Sequence, residues 1–277
     1  MHLVPLLLAA VPFLAPAEED FDGNKLVQVS LLADREALRP GGTATLAVRY
    51  KIEKDWHVYW ENPGDSGLKT RATFRLPTGW KVGEVRFPFP ERHASEGDIV
   101  TFVFHGELVL LAELSVPEDA AIGERVTIEV EGSWLVCREL CVPGKGQARL
   151  ELAVAAQEQP ANAALFAAAR ARMPKPWSEL SKARVSWGGT LLEPRLTLVV
   201  PGAKKLEWFP LDVEPVKLVT ASVDVGKQGA TLRAGYEFDR RAESDEPRIR
   251  GVLVVTTEAG VASYRLDHLY SPPPAGG

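Results

Sequence analysis

Cysteine is nearly absent: Cys137 and Cys141 are the only 2 in 277 residues. A framework of several disulfides is therefore excluded, and so is a cysteine-rich metal module. Histidine numbers 5, and no Cys/His cluster shows metal-ligand spacing. Zinc takes about four ligands, so neither a metal nor a cofactor is expected. Positive charge is not in excess, since 32 Lys and Arg stand against 37 Asp and Glu, a formal net charge of -5. There is no clustered basic run, which argues against a nucleic-acid partner. Past the first residues no apolar stretch reaches the roughly 20 residues of a membrane span, so the mature chain is expected to carry no transmembrane segment. No constellation for a hydrolase or a metalloenzyme is visible.

Turn formers are plentiful instead. The 21 Pro and 23 Gly are spaced along the whole chain, which favours short strands over long helices. The N-terminus reads as a targeting segment. Leu3 to Leu14 is an apolar run, and Ala15-Pro16-Ala17 supplies a small-x-small cleavage pattern before Glu18-Glu19-Asp20. A cleavable secretory signal over residues 1–17 is the expectation, with an uncleaved anchor as the alternative. No cysteine follows the run, so a lipoprotein anchor is not expected. Export places the chain where disulfides persist, in a periplasm-like compartment.

Strand signals begin at Leu26 and recur through Val154. Thr43 to Ile52 alternates apolar and polar residues as a half-buried antiparallel strand does. Trp56 to Leu68 is an aromatic strand running into a dense turn cluster. Pro88 to Ile99, with its prolines, glycine and mixed charges, reads as a loop. Val100 to Phe104 and Leu108 to Leu114 read as a hairpin. The pattern amounts to about seven to nine strands with turns roughly every 8–12 residues, as in an immunoglobulin-like sandwich. Ala161 to Met173 is the one helical pattern, entered at Pro160 and closed by Pro174. Its Leu165/Phe166 side is expected to pack on one domain. Strand signals then resume, with Gly188-Gly189 at hairpin spacing. The fold expected is all-β: two immunoglobulin-like sandwiches, 18–156 and 178–270, joined by a helical connector, 157–177. A disordered tail, 271–277, and a solvated loop, Arg240 to Glu246, complete the reading.

The two cysteines sit in Trp134-Leu135-Val136-Cys137-Arg138-Glu139-Leu140-Cys141-Val142-Pro143-Gly144. On one straight strand they would be roughly 13 Å apart, too far to bond. With Arg138-Glu139-Leu140 as a hairpin turn they face each other, with Cα atoms about 5.5 Å apart. Two readings remain open. A structural clip closing so short a loop contributes only about 2 kcal/mol, against about 4 or more for a bridge between distant strands. A tight, turn-located disulfide also has the character of an exchangeable one. Arg138 would favour a neighbouring thiolate and Glu139 disfavour it. His93 and His105 are candidates for the thiol environment, since an imidazolium lowers a thiol pKa.

The cysteine stretch resembles the N-terminal periplasmic domain of the DsbD/ScsB thiol:disulfide interchange family. The earlier stretch Trp56-His57-Val58-Tyr59-Trp60-Glu61-Asn62-Pro63-Gly64-Asp65-Ser66-Gly67-Leu68 resembles a second signature of that family, nearest its ScsB-type branch. The resemblance covers about Leu26 to Val154. It implies an immunoglobulin-like redox module with Cys137 and Cys141 as the exchanging pair. It implies as partners a membrane-embedded electron donor of DsbD type and periplasmic thioredoxin-fold proteins. It also implies a cap loop over the cysteines, in the region of Pro90 to Ile99. Full-length members continue into a multi-span membrane domain and a thioredoxin-like domain, and neither pattern follows here. A separate membrane protein would then supply the electrons, or the module has been reused. The alternative reading is a non-catalytic scaffold of two sandwiches. Trp56, Tyr59, Trp60, Trp134 and Pro143 count as motif positions, His57 reads as a packing residue, and Asn62-Pro63-Gly64-Asp65 as turn chemistry.

Overall fold

The computed structural model describes residues 21–190, 192–211, 216–238 and 248–270. The signal segment, the Arg240 to Glu246 run and the tail from Ser271 lie outside these residues. Twelve strands precede the helix: β1 (Val27–Ala33), β2 (Arg35–Leu38), β3 (Thr43–Ile52), β4 (His57–Gly64), β5 (Arg71–Arg75), β6 (Lys81–Val82), β7 (Glu91–Ala94), β8 (Val100–His105), β9 (Glu107–Ser115), β10 (Arg125–Cys137), β11 (Cys141–Val154) and β12 (Gln159–Pro160). They form one sheet in the order β1-β3-β9-β6 and a larger one in the order β12-β2-β11-β10-β4-β8-β7, with β5 also on β10. Alternation builds the core between them. Leu46, Val48 and Tyr50 of β3 are buried against Ile128, Val130 and Val136 of β10. Each of these side chains contributes about 1.5–3 kcal/mol by leaving water.

After the helix α1 (Ala163–Arg172) come β13 (Lys175–Pro176), β14 (Arg184–Gly189), β15 (Pro194–Pro201), β16 (Lys205–Leu211), β17 (Val216–Gly226), β18 (Gly229–Phe238), β19 (Arg248–Thr257) and β20 (Gly260–Leu269). They make two four-stranded sheets, β13-β20-β19-β16 and β14-β15-β18-β17. Leu198, Leu232, Leu253 and Trp208 fill the space between these sheets. The described chain is therefore all-β with a single α-helix, as the alternating patterns imply.

Three local readings shift. Pro160 does not open the helix: it pairs with Arg35 on β2, and Asn162 takes the N-cap position at φ 52°. The Asn162 amide donates to Ala33 O at 2.9 Å, which ties the helix entry to the first sandwich. Phe166, Ala169 and Met173 then bury against Ala47 and Leu111. The run Pro88 to Ile99 is not all loop, since Glu91–Ala94 pairs with Val100–Val103 as a short hairpin. Gly188-Gly189 is not the turn either. Both glycines lie in β14 opposite Arg195 and Pro194, and the chain reverses at Thr190 to Glu193.

The two sandwiches touch directly. Phe209 of β16 enters the first core, 6.0 Å from the Trp60 ring and 5.2 Å from that of Phe102. The Asn62 amide donates to Pro210 O at 2.8 Å, and Arg92 donates to Trp208 O at 3.1 Å. Arg265 bonds Glu61 at 3.2 Å. Burial raises the Glu61 pKa, with Arg265 and Lys69 opposing it.

Candidate functional site

The site grows from the longest hairpin among the described residues. β10 and β11 pair without a break from Arg125↔Ala153 to Cys137↔Cys141. Arg138 N–H donates to Leu140 O at 3.1 Å and closes the turn. Cys137 and Cys141 form a disulfide with Cα atoms 4.1 Å apart. That is closer than the spacing of about 5.5 Å expected for a hydrogen-bonded cross-strand pair.

Burial marks the site more sharply than spacing. Along β10 inside and outside alternate until Val136 and Cys137, which are both buried. On β4 the run His57 to Trp60 is buried throughout. Val58, Trp60 and Val136 face the core. Cys137, His57 and Tyr59 therefore point to the opposite face of the sheet, and something covers them there. The cover is their own packing with Val103 and Leu135. The two sulfurs are not equivalent, because Cys137 is 2% exposed whereas Cys141 is open to solvent. The Tyr59 hydroxyl donates to Cys137 Sγ at 3.1 Å and lies 3.9 Å from Cys141 Sγ. Burial raises the Tyr59 pKa, so the phenol stays a donor at neutral pH.

Gly67 holds Tyr59 in place. It sits at φ 105°, and a Cβ there would lie 2.2 Å from Tyr59 Cε1. Only glycine allows the backbone so close to the ring. This gives the turn cluster a second role, one that its composition does not reveal. The other cluster residues act elsewhere. The Asn62 carbonyl oxygen accepts from Gly64 N–H at 2.9 Å. An Asp65 carboxylate oxygen accepts from Val100 N–H at 2.8 Å. Gly64 takes φ 85° beside Val100 O. These contacts, with Pro63 between them, fix β4 to β8, while the Asn62 amide reaches Pro210 O of the second sandwich, and none touches the sulfurs.

Across the sheet the register runs Cys141–Cys137–His57–His105. His93 on β7 completes a cluster of imidazoles. The ring centroids of His57 lie 5.0 Å from His93 and 5.5 Å from His105. Burial, then His93 and His105, pushes the His57 pKa down to about 4. His105 Nδ1 is 3.1 Å from a Glu91 carboxylate oxygen. The structure thus gathers His93 and His105, named from the sequence, and adds His57, which the sequence suggested only as packing. Among the described residues no His, Cys, Asp and Glu group forms a metal-ligand set.

Arg138 lies over the rings of Trp56 and Phe21, 5.1 and 5.3 Å from their centroids, and pins the turn to the core. Glu139 and Leu140 are exposed at the tip. Trp134 is a core residue whose indole N–H donates to Gly23 O at 3.1 Å. Pro143, exposed, pairs with Leu135. The Pro90 to Ile99 segment meets the site through His93 on His57, and its part Glu91–Ala94 lies in the sheet as β7.

A sandwich with a disulfide at a hairpin tip, one sulfur open and one held by a tyrosine, defines the class: a thiol:disulfide interchange module. Residues 28–153 match the family described as thiol:disulfide interchange protein DsbD, N-terminal. The N-terminal periplasmic domain of ScsB from Proteus mirabilis superposes with a TM-score of 0.63 at 14% identity, covering 92% of this chain and 97% of that one. That likeness extends the shared fold across both sandwiches. The N-terminal domain of DsbD from Neisseria meningitidis, in its reduced form, aligns at 18% identity over 53% of this chain and 100% of that one, with a TM-score of 0.29. No curated protein sequence matches the chain. No helix among the described residues is long and apolar enough to cross a membrane.

Proposed function

We propose that Cys137 and Cys141 are the exchanging pair, and that the module relays electrons in the periplasm from a membrane-embedded donor to thioredoxin-fold proteins. The observation that carries this is the asymmetry of the sulfurs, with Cys141 open and Cys137 buried under Tyr59. An incoming thiolate reaches Cys141 Sγ. The new S–S bond forms there as the Cys137–Cys141 bond breaks, and the electron pair leaves on Cys137 Sγ. The Tyr59 hydroxyl is placed to donate to that developing thiolate, and a hydrogen bond to a charged group is stronger than one to a neutral sulfur. The donor's second thiolate then attacks its own sulfur in the mixed disulfide and releases Cys141. Two electrons have entered the module and the donor is oxidised. Delivery to an acceptor disulfide runs the same steps in reverse, with Cys141 as the attacking thiolate.

The test is covalent capture in the full chain. Cys137→Ser leaves a mixed disulfide at Cys141 without its resolving thiol, so the variant should accumulate one with a thioredoxin-fold protein bearing a Cys-x-x-Cys pair. Cys141→Ser, which retains only the buried sulfur, should capture far less. If neither variant forms the adduct, or if Cys137 alone forms it, the reading fails. A structural clip predicts the first of these results.

A further inference from the structure

The exchange steps leave the histidine cluster unused. Three of the 5 histidines in the sequence, His57, His93 and His105, meet on the sheet face that carries the disulfide. His57 is directly across the ladder from Cys137, and His105 is directly across from His57. Side chains so paired stand about 5 Å apart at their Cβ atoms. The charged and titratable surroundings are few. Glu91 on β7 bonds His105, and Tyr59 on β4 bonds Cys137. Arg138 and Glu139 occupy the hairpin turn, and Arg138 lies over Trp56 and Phe21. Arg92 leans the other way, over Phe102 and Phe209. Lys69, on the segment bridged to Tyr59, lies over Phe87.

We propose that the His57–His93–His105 cluster holds one proton in common and is electrostatically coupled to Cys137, so that its positive charge stabilises the Cys137 thiolate of the reduced module. This rests on the reading of Cys137 and Cys141 as the exchanging pair. A second proton would set like charges within ring separations of 5.0 to 6.1 Å, which opposes it. Glu91 supplies a counter-charge at the rim. In the disulfide form the sulfurs carry no charge, and His57 is held neutral by burial and by its two neighbours. Reduction places a thiolate across the ladder, and the cluster's affinity for a proton rises. The converse follows by linkage: a protonated cluster lowers the Cys137 thiol pKa. Opposite charges within about 4–6 Å shift a pKa by roughly 1–3 units. The cluster therefore favours Cys137 as the leaving thiolate when the module is reduced and as the resolving thiolate when it delivers electrons, where an ordinary thiol has a pKa of about 8.5.

Two measurements test the coupling. In the unmodified full chain, imidazole proton resonances are titrated by NMR in the oxidised and reduced forms. At least one of His57, His93 and His105 should titrate about one pH unit or more higher after reduction, while His268 in the second sandwich should not move. Identical titrations in both forms would overturn the proposal. In the Cys141→Ser background, where Cys137 is the sole thiol, its thiolate absorbance is titrated with and without His57→Gln, the substitution directly across the ladder. The substitution should raise the Cys137 pKa by about one unit, a tenfold loss of thiolate at acid pH. An unchanged pKa would overturn the coupling as well. Failure here alongside successful capture of a thioredoxin-fold partner removes only the coupling. Redox-linked histidine shifts without capture would remove the exchange reading and leave the coupling standing.

Discussion

Tyr59→Phe isolates the group that treats the two sulfurs differently. The substitution removes one hydroxyl, which donates to Cys137 Sγ at 3.1 Å, and keeps the ring that packs on Gly67. A hydrogen bond to a charged group contributes about 1.5–3 kcal/mol and one between neutral groups about 0.5–1.5 kcal/mol. The hydroxyl thus favours the reduced, thiolate form over the disulfide by about 1–1.5 kcal/mol. For a two-electron couple, about 1.4 kcal/mol corresponds to roughly 30 mV. Tyr59→Phe should therefore make the pair more reducing by about 20–30 mV, read by equilibration against glutathione buffers at a pH where Cys137 is ionised. Thermal stability of the oxidised form should change little, by about 1 kcal/mol. A potential that does not move, or that rises, would show that the phenol does not stabilise the leaving sulfur.

Other perturbations separate the supports of the site. Gly67→Ala puts a methyl group into the Tyr59 ring at a φ of 105°, so it should lower the melting temperature and disturb the potential together, a pairing that Tyr59→Phe lacks. Phe209→Ala empties the joint between Trp60 and Phe102 and should cost about 3–5 kcal/mol in denaturant unfolding; a loss below about 1 kcal/mol would mean that the joint is not part of the core. Asp34 is buried, accepts from Thr45 N–H and pairs with Arg170 of the helix. Asp34→Ala should cost about 1–3 kcal/mol, chiefly by leaving the Thr45 N–H without its acceptor, and hydrogen exchange should show the helix loosening first. His57 has a folded pKa near 4 against 6.5 in its ordinary state, so the unfolded chain binds more protons between these values. Stability of the oxidised form should be full above pH 6.5 and decline as pH falls toward 4; His57→Asn should flatten that decline, and an unchanged pH profile would count against burial of a neutral imidazole.

How far the sequence reveals the site depends on the range of each contact. The hairpin was legible because its partners are neighbours in the chain: strand-forming residues flank a turn, and the two cysteines can meet only across it. The helix was legible from the alanine-rich run between prolines. Its N-terminus was not, because Asn162 reaches back to Ala33 O, a contact no local propensity encodes. The short strand Glu91–Ala94 looked like loop because its four residues borrow their order from Val100–Val103. Gly188-Gly189 resembled a turn by composition, yet both glycines continue a ladder. The histidine cluster was half visible. The sequence offers His93 and His105 as thiol neighbours, but His57 joins them only through the pairing of β4 with β10 and β8. The same non-local pairing brings Tyr59 to Cys137 across 78 positions. Two-sided burial on β4 is the signal that sequence alone could have offered, since His57 to Trp60 is too aromatic throughout for a strand with one wet face.

The central claim, that the hairpin disulfide exchanges and is not a clip, rests most directly on the reduction potential of the Cys137–Cys141 pair in the full chain. Structural disulfides lie below about −300 mV. The account predicts a value above that limit, within reach of thioredoxin-fold partners. A potential below it would identify a structural bridge and contradict the account.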